Sequence, residues 1–223
     1  MFTCDVATID LTPMPLLSDH STTTDSATSF SISEQSIAEW LIQINDDISR
    51  ELERGVNIRQ LVAARACVID ELLIALFKWF ELDKTDLALF ATGGYGRGEL
   101  SLYSDVDILL LTPDEITVDN KEKIDNLVAL LWDIGLEPAL SVRSVSECLE
   151  AALDHTVAST LLEARLLVRN EALQDAPHKI VNTQWSPRDF YEVKIAEAKA
   201  RYLQHNATEY NLEPNIKTAP GGL

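Results

Sequence analysis

Residues 93–107 read GGYGRGELSLYSDVD, with four glycines at the beginning and two aspartates at the end. It lies between two apolar runs, one at residues 87–91 and the other at residues 106–111. Short apolar runs that end at glycine or proline are typical of buried strands. The pattern therefore predicts two buried strands joined by a glycine-rich turn.

Two carboxylates stand at the start of the second predicted strand. Asp105 and Asp107 are separated by one residue, and strand residues two apart point to the same face, roughly 6.6 Å apart at Cα. Paired carboxylate oxygens suit Mg²⁺, which keeps bound waters and takes further ligands from substrate phosphates. The same short pattern also fits a solvated strand end with two exposed aspartates, so by itself it leaves both interpretations open.

The turn between the strands is rich in residues that suit an anion. Gly93 and Gly94 directly follow the first strand, and glycine permits unusual backbone angles and a close approach of backbone N–H groups to a phosphate. Arg97 adds a fork-shaped cation suited to phosphate oxygens. A tight loop without a ligand is the alternative. No GK[ST] follows, so the turn is not a P-loop, and the carboxylates come too soon for a dinucleotide-binding fingerprint.

The combined pattern is specific: a strand, Gly-Gly, about ten residues, and then Asp-x-Asp on the next strand. Its spacing places a turn that can bind phosphate opposite two carboxylates that can bind a metal. It resembles the signature of the DNA polymerase beta nucleotidyltransferase superfamily. The segments GGYGRGEL and SDVDILLL further resemble the PII uridylyltransferase/uridylyl-removing enzyme family of bacterial nitrogen regulation. Residues 141–152, 161–173 and 210–223 add supporting matches.

This resemblance implies a fold, an activity and a set of site residues. The expected fold is α/β of the α+β kind, a polymerase-beta-like core with a small mixed sheet, N-terminal helices and a C-terminal helical segment. The expected reaction transfers a uridylyl group from UTP to a tyrosine of the PII protein and releases pyrophosphate. Asp105 and Asp107 would be catalytic and hold Mg²⁺, with Mn²⁺ as an alternative, while Gly93, Gly94, Arg97 and Ser104 would bind the nucleotide.

One departure concerns a third carboxylate, which the wider superfamily usually supplies from a neighbouring strand. The next predicted strand, in LEPALSVR, offers only Ser141 where an acidic residue is expected, with Glu137 at its edge. The uridylyltransferase branch shares this Ser-Val-Arg, so the absence is interpreted as a branch feature. The proton acceptor is left unassigned.

The patterns divide the chain into four segments. They are a disordered leader (1–30), N-terminal helices (31–83), the nucleotidyltransferase core (84–170), and the start of an apparently truncated helical segment (171–223). A capping box at residues 31–34 begins the first helix, Gly55 ends it, and a second helix follows Asn57. Later elements are predicted as helices at 120–132, 145–153, 160–168 and 187–207, and a strand at 139–142.

Charge and hydropathy exclude some classes of partner. The 36 acidic and 18 basic residues give a net charge of -18, which would repel a nucleic-acid backbone, whereas a small anionic substrate remains admissible where a bound metal reverses the local field. Neither a signal peptide nor an apolar run long enough to span a bilayer is found. The protein is expected to be cytoplasmic, with no nucleic acid or membrane as a partner.

Two rivals to uridylyl transfer remain. The chain could be a truncated, non-catalytic module that binds PII or a nucleotide, or it could transfer AMP to another protein. The resemblance also implies hydrolytic and glutamine-sensing domains beyond Leu223. None of the four histidines is directly followed by an aspartate, so no uridylyl-removing site is expected within these residues.

Overall fold

The computed structural model describes residues 9–15 and 34–204. Two long helices come first, α1 (Glu34–Glu53) and α2 (Ile58–Trp79). Gly55, with φ +89°, takes the left-handed conformation between them, as glycine does after a helix end. The Asn57 side chain accepts a hydrogen bond from Arg59 N and caps α2. Both predicted helices are thus confirmed, while most of the capping box at residues 31–34 lies outside the described residues.

A four-stranded mixed sheet forms the centre of the fold. Its strands are β1 (Ala88–Ala91), β2 (Val106–Thr112), β3 (Pro138–Ser144) and β4 (Arg165–Val168). They lie in the order β3-β2-β1-β4. Strand β1 is antiparallel to both neighbours, and β2 is parallel to β3. The expected α+β class with a small mixed sheet is confirmed.

Six further helices surround this sheet in the described residues. They are α3 (Gly93–Gly96), α4 (Val118–Asp133), α5 (Val145–Ala151), α6 (His155–Leu162), α7 (Ala176–Gln184) and α8 (Pro187–Gln204). A short 3-10 turn also covers Leu82–Lys84. Helix α4 makes the crossover that two parallel strands such as β2 and β3 require. Each helix in these residues is too short or too polar to span a lipid bilayer.

The helix predicted at residues 160–168 is wrong in its second half. Helix α6 ends at Leu162, and the chain continues as strand β4. Strand β4 pairs with β1, with Phe90 opposite Leu166 and Ala91 opposite Arg165. A short apolar run is compatible with both a helix and a strand. Here the run forms a strand because it pairs with the edge of β1 that β2 leaves open.

The two faces of the sheet bury two apolar clusters. Alternate strand residues such as Ile108 and Leu110 pack with α1, α2 and α4. Their neighbours Leu109 and Leu111 pack with α5, α6 and α7. By this alternation Asp107 belongs to the second face. It lies near the beginning of β2 and is half-buried, whereas Leu109 and Leu111 are buried. The segment boundaries at residues 30, 83 and 170 stay predictions.

Candidate active site

The glycine-rich turn is a four-residue helical turn rather than an irregular loop. Thr92 follows β1 and donates its backbone N–H to the Asp107 carbonyl oxygen at 3.0 Å. Helix α3 then begins at Gly93, whose φ of +57° lies in the left-handed region that favours glycine. Gly96 N donates to Thr92 O at 2.7 Å and closes the turn. The turn is thus joined to β2 through the backbone of a predicted metal ligand.

The Asp107 side chain lies directly against this turn. A Cβ atom added at Gly93 would stand 2.6 Å from Asp107 Oδ2, well inside van der Waals contact. At Gly94 the nearest atoms to an added Cβ are Glu99 O at 3.2 Å and Arg97 Nη2 at 3.6 Å. The structure therefore brings Gly93 against one of the two carboxylates, with Gly94 next to it in the turn.

Asp105 lies one residue before β2 and is exposed, as is Ser104. Val106 between the two aspartates donates its N–H to Glu137 O at 3.1 Å, which fixes the beginning of the strand. The loop from α3 to Asp105 is held to α2, because Arg65 Nη1 donates to Ser101 O at 2.6 Å. Asp105 and Ser104 therefore lie on an anchored loop beside Asp107.

Arg97 follows α3 and is paired with two carboxylates. Its Nη1 donates to Glu163 Oε1 at 2.8 Å and its Nε to Glu99 Oε2 at 3.3 Å. Burial acts to lower the pKa of Arg97, but Glu163 and Glu99 raise it overall. The side chain is still 43% exposed, so this predicted phosphate ligand is a partly accessible cation held beside the turn.

The strand register identifies the position beside Asp107 on β3. Ala139 is the residue opposite Asp107, whereas Ser141 lies opposite Leu109, two pairs further into the sheet. Ser141 therefore does not lie directly beside Asp107, and its interpretation as the position of the missing third carboxylate stays a prediction. Among residues 9–15 and 34–204, no group of three or more His, Cys, Asp or Glu residues is arranged to hold a metal ion.

The residues present nevertheless fit a divalent cation. Asp107 offers hard carboxylate oxygens, half-buried at the mouth of a turn that leaves no room for a Cβ. Asp105 adds a second carboxylate on the adjoining loop. A pair of this kind suits an ion that completes its shell with waters and substrate phosphates rather than with a full protein cage.

Three residues that the sequence did not predict as part of the site hold the turn in place. Asp70 on α2, Tyr95 in α3 and Arg165 at the start of β4 form a hydrogen-bonded network behind Gly96. Asp70 and Arg165 are 95 residues apart in the chain. No local pattern signals such a pairing, although Tyr95 lies within the motif itself.

Two parts of the chain match known protein families. Residues 75–168, which contain the glycine turn, both carboxylates and β4, match the family described as the nucleotidyltransferase domain. Residues 189–223 match the family described as GlnD PII-uridylyltransferase. The two matches thus cover the central sheet and the C-terminal part of the chain.

Individual relatives carry a consistent description. A protein of Psychrobacter arcticus described as a bifunctional uridylyltransferase/uridylyl-removing enzyme is 79% identical over 100% of this chain and 25% of its own length. Proteins with the same description are 78% identical in Psychrobacter cryohalolentis and 46% identical, over 85% of this chain, in Acinetobacter baumannii. The chain spans about a quarter of the length of these relatives.

Proposed function

The chain belongs to the uridylyltransferase/uridylyl-removing enzyme family, whose nucleotidyltransferase domain it carries, and we propose that it transfers a uridylyl group from UTP to a tyrosine of the PII signal protein. In this reaction the tyrosine hydroxyl gives up its proton to solvent and its oxygen forms a bond to the α-phosphorus, the bond from that phosphorus to the bridging oxygen breaks, and pyrophosphate leaves. The observation that carries the proposal is the Asp107 carboxylate set against the Gly93 turn.

Nucleotidyltransferase domains generally use divalent metal ions, and we propose Mg²⁺, with Mn²⁺ as the alternative, held by Asp105 and Asp107. When bound, the metal would supply positive charge that offsets the charge of the triphosphate and of the leaving pyrophosphate. Asp107 is fixed for this role by its strand and by the Thr92 N–H on its backbone carbonyl. Asp105 is exposed on the adjoining loop, where a substrate can reach it.

The other predicted ligands would orient the nucleotide. The backbone of Gly93 and Gly94 allows a phosphate to approach where a side chain would block it. Arg97 is exposed enough to exchange its contacts with Glu163 and Glu99 for phosphate oxygens, to which its fork can bind in pairs. Ser104 offers a hydroxyl on the loop directly before Asp105. Positioning of this kind, rather than covalent chemistry, accounts for most of the catalysis of phosphoryl transfer.

The comparisons favour uridylyl transfer over the two rivals. The relatives are described as uridylyltransferases, a description that suits neither AMP transfer nor a binding module without turnover. PII protein as the acceptor and the cytoplasm as the location are part of the proposal. Nucleic acid is not proposed as a partner, since the net charge of -18 opposes binding to a phosphate backbone.

Incubation of the purified chain with PII protein, Mg²⁺ and α-labelled UTP is expected to label PII, and labelled ATP is expected not to. A PII variant with its acceptor tyrosine replaced by phenylalanine is the control for the site of attachment. Equal labelling from ATP would support the adenylyltransferase alternative. Binding of UTP without any labelling would support the binding module.

Replacement of Gly94 by valine is expected to weaken UTP binding about 10-fold. An added Cβ at Gly94 already lies 3.2 Å from Glu99 O, so the branched valine must displace either that backbone or the approaching phosphate. Titration calorimetry with UTP and Mg²⁺ measures the effect. Ala129→Val, which introduces the same branched side chain at an exposed position on α4, is the control. Equal UTP affinity in folded Gly94→Val would mean that the glycine serves the turn alone.

A further inference from the structure

A largely buried ionic network contacts the glycine turn from β4, whereas Asp107 contacts it from β2, and these two strands flank β1 on opposite sides. Arg165 forms two parallel hydrogen bonds with the Asp70 carboxylate, at 2.6 and 3.0 Å. The Tyr95 hydroxyl donates to the same carboxylate at 2.6 Å. The side chains of Asp70 and Arg165 are each 16% exposed, and Tyr95 is 1% exposed. Three elements distant in sequence thus meet in a partly dry, hydrogen-bonded cluster.

The same arginine holds the backbone of the turn. Arg165 Nε donates to Gly96 O and Nη2 donates to Tyr95 O, both at 3.1 Å. Its guanidinium carbon also lies 5.4 Å from the centre of the Tyr95 ring, a distance at which the ring face attracts a cation. One guanidinium therefore fixes two of the four residues of α3, and Asp70 fixes that guanidinium.

The turn needs such support because it is too short to hold its own position. A single helical turn has few internal hydrogen bonds to offset its ordering entropy. In front, Thr92 and Gly93 are attached to Asp107. Behind, Gly96 packs so closely on the Glu163 carbonyl that a Cβ would lie 2.2 Å from it. The position of Gly93 and Gly94 relative to Asp107 therefore depends on the attachments at both ends.

We propose that Asp70, Tyr95 and Arg165 are positioning residues for nucleotidyl transfer, which set the Gly93–Gly94 backbone at its working distance from Asp107. This inference rests on the proposed function. The competing explanation is that the network only stabilises the fold. The two differ in what happens when the charges are removed together, since a buried ion pair replaced by neutral residues often leaves stability unchanged, whereas removal of one partner strands a buried charge.

The test compares Arg165→Met with the double variant Asp70→Asn/Arg165→Met. Arg165→Met is expected to lower Tm by about 10 °C, because Asp70 loses its counter-ion. The double variant is expected to regain most of that Tm, since the amide oxygen introduced by Asp70→Asn still accepts the Tyr95 hydroxyl and neither charge of the pair remains. Its kcat/KM for UTP is nevertheless expected to stay about 100-fold low, with a raised KM, because the turn has lost its support.

Two further variants separate positioning from general stability. Tyr95→Phe keeps the ring and removes one hydrogen bond, so a loss of about 5-fold in kcat/KM is expected. Asp47→Asn is the matched control, a buried carboxylate on α1 that accepts hydrogen bonds from Thr12 and Gln43. It is expected to lower Tm and to leave the KM for UTP unchanged.

Amide hydrogen exchange of residues 93–98 provides a readout that requires no turnover. Exchange is expected to be faster in the double variant than in the wild type, and unchanged in Asp47→Asn. If the wild-type chain fails to label PII, the proposed function fails, while the exchange rates still decide whether the network fixes the turn. A double variant with wild-type Tm, KM and exchange would overturn the inference, because the turn would then keep its position without the network.

Discussion

Replacement of Asp107 by asparagine is expected to lower uridylyl transfer on the order of 1,000-fold, the cost of removing one strong electrostatic contact from a transition state. The change removes a negative charge and almost no volume. The backbone hydrogen bond from Thr92 N to Asp107 O does not depend on the side chain, so β2 and the turn should keep their places. The initial rate of labelling of PII by α-labelled UTP, measured over a range of Mg²⁺ concentrations, checks this expectation.

The same substitution at Asp105 tests the second carboxylate, and an aspartate outside the site provides a control. Asp105→Asn should have a comparable effect, although Asp105 is exposed and precedes the strand. Asp133→Asn at the exposed end of α4 is the control and should keep full activity. Thermal unfolding should give similar Tm values for all three variants. Undiminished labelling by folded Asp107→Asn would remove Asp107 from the site.

The parts of the fold that the sequence predicts are those that depend on local patterns. The apolar runs at β1 and β2, the helical periodicity of α1 and α2, and the Gly-Gly to Asp-x-Asp spacing each depend on residues close together in the chain. The structure brings Gly93 and Asp107 into contact, as this spacing indicates. The fold class could be predicted because the Gly-Gly to Asp-x-Asp motif is specific and because the helical periodicity of α1 and α2 extends over many residues.

The parts that the sequence did not predict depend on pairing between distant residues. Arg165 lies in a run whose spacing suits a helix, yet it begins a strand because β1 offers an antiparallel edge. Its bidentate contact with Asp70 joins residues far apart in sequence, and nothing in either local context signals it. The placement of Ala139 beside Asp107 depends on register in the same way, which a short strand without a turn constraint does not fix.

Gly93→Ala is expected to reduce kcat/KM for UTP about 100-fold, a loss that a small misplacement of reacting groups can cause. Gly93 has φ +57° and its added Cβ would lie 2.6 Å from Asp107 Oδ2. Alanine therefore adds two separate penalties. The left-handed backbone costs about 1–2 kcal/mol of stability with any side chain, and the new methyl group must push the carboxylate away from the turn.

Gly135→Ala separates these two penalties. Gly135 has φ +76°, and nothing lies within 4 Å of a Cβ added there, so alanine at this position carries only the backbone cost. Both variants should lose the backbone cost from their free energy of unfolding in urea titrations, Gly93→Ala at least as much as Gly135→Ala, while only Gly93→Ala should lose activity. Titration of the remaining activity should show that Gly93→Ala requires a higher Mg²⁺ concentration, because the carboxylate that binds the ion is the group displaced. Equal kcat/KM in the two variants would show that the close contact between Gly93 and Asp107 has no part in catalysis.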